Sequence, residues 1–176
     1  MKGTASCWDD IAGDILGRRL YATAGTVDWD WDENAAVFSP SGDISDQNDR
    51  VIFNIQVPHR TLVGSDLKPH IHIWQPDSTE RTFTFQYRVQ ENGEAKETTW
   101  TQTTASLSTD ALFSYTSGTL NQILKFPDIS LSGVSLSAVI QCRITRTDAN
   151  AGDVSVTFFD FHYNLDTAGS RQEYVK

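Results

Sequence analysis

The chain has 176 residues and a formal net charge of −9, with 39% hydrophobic and 11% aromatic residues. This length fits one domain with its own core, and the hydrophobic content is too high for a disordered chain. The acidic balance argues against a surface that binds nucleic acid, and no apolar run approaches the ~18 residues of a membrane span. The first ten residues lack the apolar stretch of a secretory signal, so we do not expect export by that route.

Periodic patterns along the chain predict short elements, nearly all of them strands. Residues 8–16 place Ile11, Ile15 and Leu16 at helical spacing and predict a short helical piece near the N-terminus. Alternating apolar and polar residues then predict half-buried strands. The clearest runs are 51–57, 83–89 and 134–144, and weaker runs are 20–27, 35–38, 69–75, 97–104, 120–126 and 154–163. In the last run the apolar phase shifts at Phe158, which predicts a β-bulge.

Eight or nine antiparallel strands without alternating helices predict an all-β fold, either a sandwich or a barrel. The long connection over residues 58–68 indicates a crossing between two sheets. We therefore expect a single-domain, jelly-roll-like β-sandwich, with an immunoglobulin-like sandwich as the second choice. The expected organisation is an N-terminal segment over 1–19, the sandwich domain over 20–165 and a C-terminal arm over 166–176.

The two cysteines, Cys7 and Cys142, lie far apart and match no metal-binding or redox spacing. We expect two free thiols in a reducing cytosol. A disulfide between them stays open at this point, because the sequence does not give their distance.

The segment 64–72 resembles the opening of the cupin metal motif, with Gly at its start and a His-x-His pair at its end. In a strand His70 and His72 share a face, so both could contact one ion. The cupin motif needs Glu soon after the second His, but the next acid here is Asp77. We expect no metal or other cofactor, and expect the two histidines and Trp74 to form a hydrogen-bonded, partly aromatic face. A cupin-like metalloprotein remains the alternative from another class.

The acidic segment 28–33 alternates Asp with Trp and resembles the start of a calcium-binding loop. Such a loop needs Gly at its sixth position and Glu at its twelfth, where this chain has Glu33 and Ser39. We expect instead an extended segment with Trp29 and Trp31 on one face and the acids on the other.

Familiar catalytic motifs are missing from the sequence. It has no Gly-x-Ser-x-Gly elbow, no Gly-rich phosphate loop and no His-Glu-x-x-His. We therefore expect a protein that is not an enzyme. A carbohydrate-binding module is a third possibility, because aromatic platforms stack on sugars and the chain has five tryptophans: Trp8, Trp29, Trp31, Trp74 and Trp100.

Six segments spread over most of the chain carry a resemblance. They are Trp-Asp-Asp at 8–10, Val-Pro-His at 57–59, Lys-Pro-His-Ile-His-Ile-Trp at 68–74, Cys-Arg-Ile at 142–144, Asp-Phe-His-Tyr at 160–163 and Asp-Thr-Ala-Gly-Ser-Arg-Gln-Glu-Tyr-Val-Lys at 166–176. Together they resemble a group of tailed-bacteriophage virion proteins, and the closing segment is the most specific of them.

The resemblance implies a non-enzymatic structural protein of the virion, made in the cytoplasm of the bacterial host. We expect a capsid cement or decoration protein that contacts the major capsid protein or neighbouring virion proteins, as a homo-oligomer (dimer or trimer). A neck or tail adaptor, or a fibre-attachment protein, is the alternative within the virion. The expected assembly residues are the two tryptophans of the acidic segment and four residues of the arm: Trp29, Trp31, Arg171, Glu173, Tyr174 and Val175.

Overall fold

The computed structural model describes residues 8–13, 27–30, 35–38, 50–62, 64–75, 77–112 and 121–166, which form eleven strands and one short helix. In chain order the elements are β1 (Trp8–Gly13), β2 (Val27–Asp30), β3 (Ala35–Phe38), β4 (Arg50–Gln56), β5 (Asp66–Trp74), β6 (Thr82–Gln90), β7 (Thr101–Ser106), α1 (Leu107–Asp110), β8 (Gln122–Lys125), β9 (Ile129–Ser130), β10 (Val139–Arg146) and β11 (Val154–Asn164).

The larger sheet contains seven of these strands, with β11 and β5 at its centre. Its main path runs β2-β3-β11-β5-β8, while β1 also pairs with β11 and β9 pairs with β5. Every pair in the sheet is antiparallel. Since β11 has eleven residues, β3 and β1 can lie one after the other along the same side of it.

The smaller sheet has four antiparallel strands in the order β4-β10-β6-β7. The chain crosses repeatedly between the sheets: β4 belongs to the smaller sheet, β5 to the larger, β6 to the smaller and β8 to the larger. The expected crossing between β4 and β5 is therefore present. These features confirm the prediction of an all-β, jelly-roll-like sandwich.

One hydrophobic core lies between the inner faces of the two sheets. Aromatic rings dominate its centre: Phe85 of β6 has its ring centroid 5.2 Å from that of Phe159 in β11, and Phe159 lies 4.6 Å from Phe53 of β4. All three side chains are buried, as is the neighbouring Phe161. Large rings pack well on flat strand surfaces and contribute much apolar area, so these residues hold the two sheets together.

The prediction of a helical piece near the N-terminus is wrong for residues 8–13, the part of that segment that the structure describes. Trp8–Gly13 forms β1, which pairs residue by residue with β11 from Trp8 opposite Asn164 to Gly13 opposite Phe159. A short isolated helix is marginal in water, whereas a strand beside β11 satisfies its backbone through a neighbour. Because β1 joins the larger sheet, the N-terminal segment contributes directly to the sandwich.

Two strand details differ from the sequence pattern. The alternating run over 134–144 predicts one strand, but β10 begins only at Val139, because turns occupy the preceding residues and Ser137 has a positive φ of 68°. The bulge predicted in the last run is present, and the register of β11 against β5 shifts between Val156 and Phe158. The shift leaves Phe158 exposed and returns Phe159 to the core.

A buried arginine connects the two sheets by a hydrogen bond at one end of the sandwich. Arg146, the last residue of β10, is 1% exposed and donates a 3.1 Å hydrogen bond to the carbonyl oxygen of Phe38 in β3. Its guanidinium also donates to Oδ1 of Asp148 at 2.7 Å. A buried charge is tolerated only when it is paired and hydrogen-bonded, and Asp148 supplies the counter-charge here.

Cys142 is a free thiol that is fully buried in the core, and burial raises its pKa well above the ordinary value. Cys7 lies outside the described residues. Among the residues that the structure describes, no helix has the length and apolar character needed to cross a membrane.

Candidate functional site

The two histidines of β5 lie on the outer face of the larger sheet. Ile71 and Ile73 alternate with them and are completely buried in the core. The imidazole rings of His70 and His72 are 5.4 Å apart, and His72 also meets Phe158 of β11 edge-on at 5.9 Å. The alternation in β5 thus places these histidines together, as the period of two predicts.

Strand β11 brings two further functional groups to the same place. Its register sets Asp160 opposite His70 and His162 opposite Lys68, so Asp160 and His162 share the outer face. Nε2 of His70 lies 2.5 Å from Oδ1 of Asp160, and the rings of His70 and His162 are 4.4 Å apart. One ligand atom from each of His70, Asp160 and His162 fits within a 4.8 Å separation. We call these three residues the His–Asp cluster.

The three side chains of the cluster differ in how much of their surface is exposed to solvent. Only 5% of the His70 side chain and 7% of the Asp160 side chain are accessible, against 46% for His162. Nδ1 of His70 is 3.4 Å from the backbone carbonyl oxygen of Lys68, and His162 has its Nε2 3.1 Å from Oδ1 of Asp10 in β1. Three neighbouring strands therefore position the cluster, and His162 is its exposed member.

Burial and charge act in opposite directions on the histidines of β5. Burial disfavours the charged form of His70, but its contact with Asp160 and the charge of that carboxylate outweigh burial and raise the pKa of His70. For His72 burial is the largest influence. Oδ1 of Asp160 is 3.9 Å from Nε2 of His72, and its charge does not outweigh burial, so the pKa of His72 is lowered. The two histidines of β5 thus differ in how readily they take up a proton.

A cleft of about 480 Å³ opens beside the cluster, between β5, β8 and the residues around them. His70 and His162 line it, together with Lys68, Lys125 and Leu112. The ammonium group of Lys68 is held by Asp128 at 2.9 Å. The cleft gives ions and small molecules a path to the cluster from solvent.

The sequence analysis identified His70 and His72 as the candidate metal pair, but the structure groups His70 with Asp160 and His162. The missed residues carried the same signal, since Asp160 and His162 are also two apart in a predicted strand. Their position opposite His70 depends on the pairing of β5 with β11 and on the register shift, neither of which is visible in a local pattern.

The residues predicted to mediate assembly fall largely outside the described residues. This applies to Trp31 and to all four arm residues: Arg171, Glu173, Tyr174 and Val175. Trp29 lies in β2, opposite Ala36 of β3, so the segment is extended there as expected. These six residues remain predictions.

Trp100, a candidate sugar platform, is covered by cations in this structure. The guanidinium carbon of Arg143 lies 4.0 Å from the centroid of its ring, and that of Arg88 lies 4.5 Å away. These cation–π contacts occupy the ring that a sugar would stack on. Trp8 is 46% exposed on the outer face of the larger sheet, and the ammonium group of Lys68 lies 5.3 Å from the centroid of its ring.

No protein-family model and no curated protein sequence matches the chain. Among solved structures it is similar to the xylan-binding module CBM15, at 14% identity and a TM-score of 0.46 over 89% of this chain and 96% of that chain. It is also similar to TmCBM27, a carbohydrate-binding module described by its specific mannan recognition, at 11% identity and a TM-score of 0.40 over 89% of this chain and 88% of that one. At these scores the similarities carry no inference about function.

Proposed function

We propose that the chain is a non-enzymatic structural protein of a tailed-bacteriophage virion, acting as a capsid cement or decoration protein. In this role it binds the assembled shell more tightly than it binds free subunits, and so stabilises the particle by mass action. The proposal rests on the sequence resemblance. The structure supports it by offering one surface that suits contact with another protein.

The structural support for the proposal is the distribution of exposed large apolar side chains over the described residues. There are four of them, and all lie on or beside the larger sheet: Trp8, Leu62, Leu112 and Phe158, each between 40% and 49% exposed. Trp8 and Phe158 lie on its outer face, Leu112 donates a backbone hydrogen bond to Ile123 in β8, and Leu62 donates one to Asn164 at the end of β11. None of the exposed large apolar side chains among the described residues comes from the smaller sheet, so an apolar protein contact is better placed on the larger sheet.

Three of the six segments that carry the resemblance lie in the larger sheet, whereas Cys-Arg-Ile at 142–144 lies in β10 of the smaller sheet. Residues 8–10, 68–74 and 160–163 belong to β1, β5 and β11, which are neighbours in the larger sheet. Residues 57–59 follow β4 and lead into the connection to β5, where Thr61 bridges to Leu165. We therefore place the main contact surface on the outer face of the larger sheet, and define it by Trp8, Trp74 and Phe158.

The net charge of −9 suits a position outside the DNA-filled interior, because negative DNA repels an acidic protein. It also favours a partner surface of positive charge, such as a basic patch on the major capsid protein. Binding to the particle should then weaken as ionic strength rises, since exposed charges are screened beyond about 8 Å at physiological salt.

Copy number in purified virions tests the proposal directly. Quantitative mass spectrometry of particles from the phage that encodes the chain should find it in hundreds of copies. About six, twelve or eighteen copies would replace the cement role by the neck or tail adaptor. Absence from mature particles would overturn the proposal.

A paired substitution tests the contact surface. Particles that lack the protein are titrated with the wild type, with Phe158→Ala and with the control Ile52→Ala. Ile52 is a half-buried apolar residue on the outer face of the smaller sheet. We expect Phe158→Ala to weaken particle binding by roughly ten-fold or more, as an interface anchor does, and Ile52→Ala to change it little. Equal effects of the two substitutions would contradict the assignment of the surface.

A further inference from the structure

The His–Asp cluster has the chemistry of a metal-ion site. Two imidazoles and one carboxylate form a donor set that suits zinc and other first-row transition metals. Two ligands of a tetrahedral zinc ion lie about 3.3–3.5 Å apart, given zinc–ligand distances near 2.0–2.2 Å. The ligand atoms of His70, Asp160 and His162 already lie within 4.8 Å of one another, so small side-chain rotations bring them to that spacing.

The contact between His70 and Asp160 calls for a positive ion. Nδ1 of His70 faces the carbonyl oxygen of Lys68, so a metal-bound His70 can keep its proton on Nδ1 and offer the lone pair of Nε2 to the ion beside Asp160. Oδ1 of Asp160, 2.5 Å away, is also an acceptor and receives no hydrogen bond of acceptable geometry from the residues described. In the metal-free protein a proton can bridge these two atoms, and a divalent ion can take the place of that proton because both side chains are more than nine-tenths buried and face the same point.

The surroundings also match those of known metal sites. A histidine ligand commonly has its second ring nitrogen held by a backbone carbonyl or a carboxylate, which fixes the ring and its tautomer. The carbonyl of Lys68 is placed for this role at His70. Asp10, 3.1 Å from His162, supplies a carboxylate on the exposed side. The cleft lined by His70 and His162 gives solvent access to the cluster.

We propose that His70, Asp160 and His162 bind one divalent transition-metal ion of the zinc class, with Asp10 as the carboxylate that orients His162. The ion joins β5 to β11 on the outer face of the larger sheet and keeps a coordination position open to the cleft. Hard cations such as Mg²⁺ and Ca²⁺, which prefer oxygen ligands, bind weakly here.

The test uses the full chain produced without a polyhistidine tag, because a tag would bind the same metals. The metal-free protein is titrated with Zn²⁺ by calorimetry, and zinc content after dialysis is measured by elemental analysis. We expect one equivalent of zinc in the wild type. His162→Ala should lower the affinity at least roughly ten-fold, and Asp10→Asn by about ten-fold, in the range seen for residues that orient ligands. Mg²⁺ should give no signal at the same concentration.

The control is His59→Ala, because His59 lies outside the cluster and contacts Ser137. It should bind zinc as the wild type does. Since His162 is half-exposed, its removal should leave the fold intact, and circular dichroism of each variant checks this. Absence of stoichiometric zinc from the wild type, or equal affinity in His162→Ala and His59→Ala, would overturn the proposal. The titration needs no particles, so its outcome is independent of the virion proposal.

Discussion

Replacing Asp148 by Asn tests how the buried Arg146 is tolerated. The substitution keeps the size of the side chain but removes the charge that faces the guanidinium, whose Nε and Nη2 atoms donate to the carboxylate at 2.7–3.2 Å. Thr82 and Asn150 also donate their backbone N–H groups to it, and an amide oxygen can still accept part of these bonds. Breaking a buried ion pair costs ~3–5 kcal/mol, so we expect a loss near ~3 kcal/mol in the free energy of unfolding.

The assay is urea unfolding followed by tryptophan fluorescence. With a slope of ~1.5–2 kcal/mol/M, the midpoint should fall by about 1.5–2 M. The control Asp128→Asn removes a carboxylate from an ion pair with Lys68 in which both side chains are 44% exposed, and it should cost less than ~1 kcal/mol. If the two variants lose similar stability, the buried pair does not have the role that we assign to it.

The loss of stability in Asp148→Asn should also depend on pH, and the direction follows from the pKa of Asp148. Burial opposes ionisation of Asp148, but the hydrogen bonds from Arg146 and from the backbone outweigh burial and hold the pKa of this carboxyl below its ordinary value. A carboxyl with a lowered pKa in the folded state contributes stability above its unfolded pKa of ~3.9 and loses it as pH falls through the folded value. The stability difference between wild type and Asp148→Asn should therefore be constant from pH 7 to about 5 and shrink below about pH 4.

Two further predictions concern the core and the arm. Gly13→Ala should lower the free energy of unfolding by ~1–3 kcal/mol. The added Cβ would lie 2.7 Å from the ring of Phe53 and 3.2 Å from the carbonyl oxygen of Phe159. An unchanged urea midpoint would contradict this close packing. Removal of residues 167–176 should leave the melting temperature unchanged if the arm contacts a neighbouring subunit, as we propose. If the arm mediates assembly as proposed, the shortened protein should fail to bind particles, and normal binding would reject that role.

The sequence predicted the strands better than the sheets. Local alternation was sufficient for β4, β5 and β6, because each buries one face and the period of two is written in its residues. Local alternation was insufficient for β1. Asp9 and Asp10 followed by Ile11 suit the start of a helix, and the strand forms only because this segment pairs with β11. Secondary structure that depends on a distant partner leaves little signal in its own residues.

The same distinction applies to the candidate site and to the buried ion pair of Arg146 and Asp148. The shared face of His70 and His72 follows from the period of β5, but their proximity to Asp160 requires the pairing of two strands 80 or more residues apart in the chain. Likewise Asp148 is a neighbour of Arg146 in sequence, whereas the carbonyl of Phe38 is reached only after the sheets pack. Sites built across strands therefore need the topology before they can be recognised.

Backbone amide exchange offers a way to locate the covered surface without any substitution. Among the described strands β1 and β7 both have six residues and both lie at a sheet edge, where backbone groups open readily. β1 borders the proposed contact surface through Trp8, while β7 belongs to the smaller sheet. Hydrogen–deuterium exchange of the protein alone and bound to particles should show slower exchange in β1 and little change in β7. Slower exchange in β7 alone would move the contact to the opposite sheet, because a covered strand is protected whichever partner covers it.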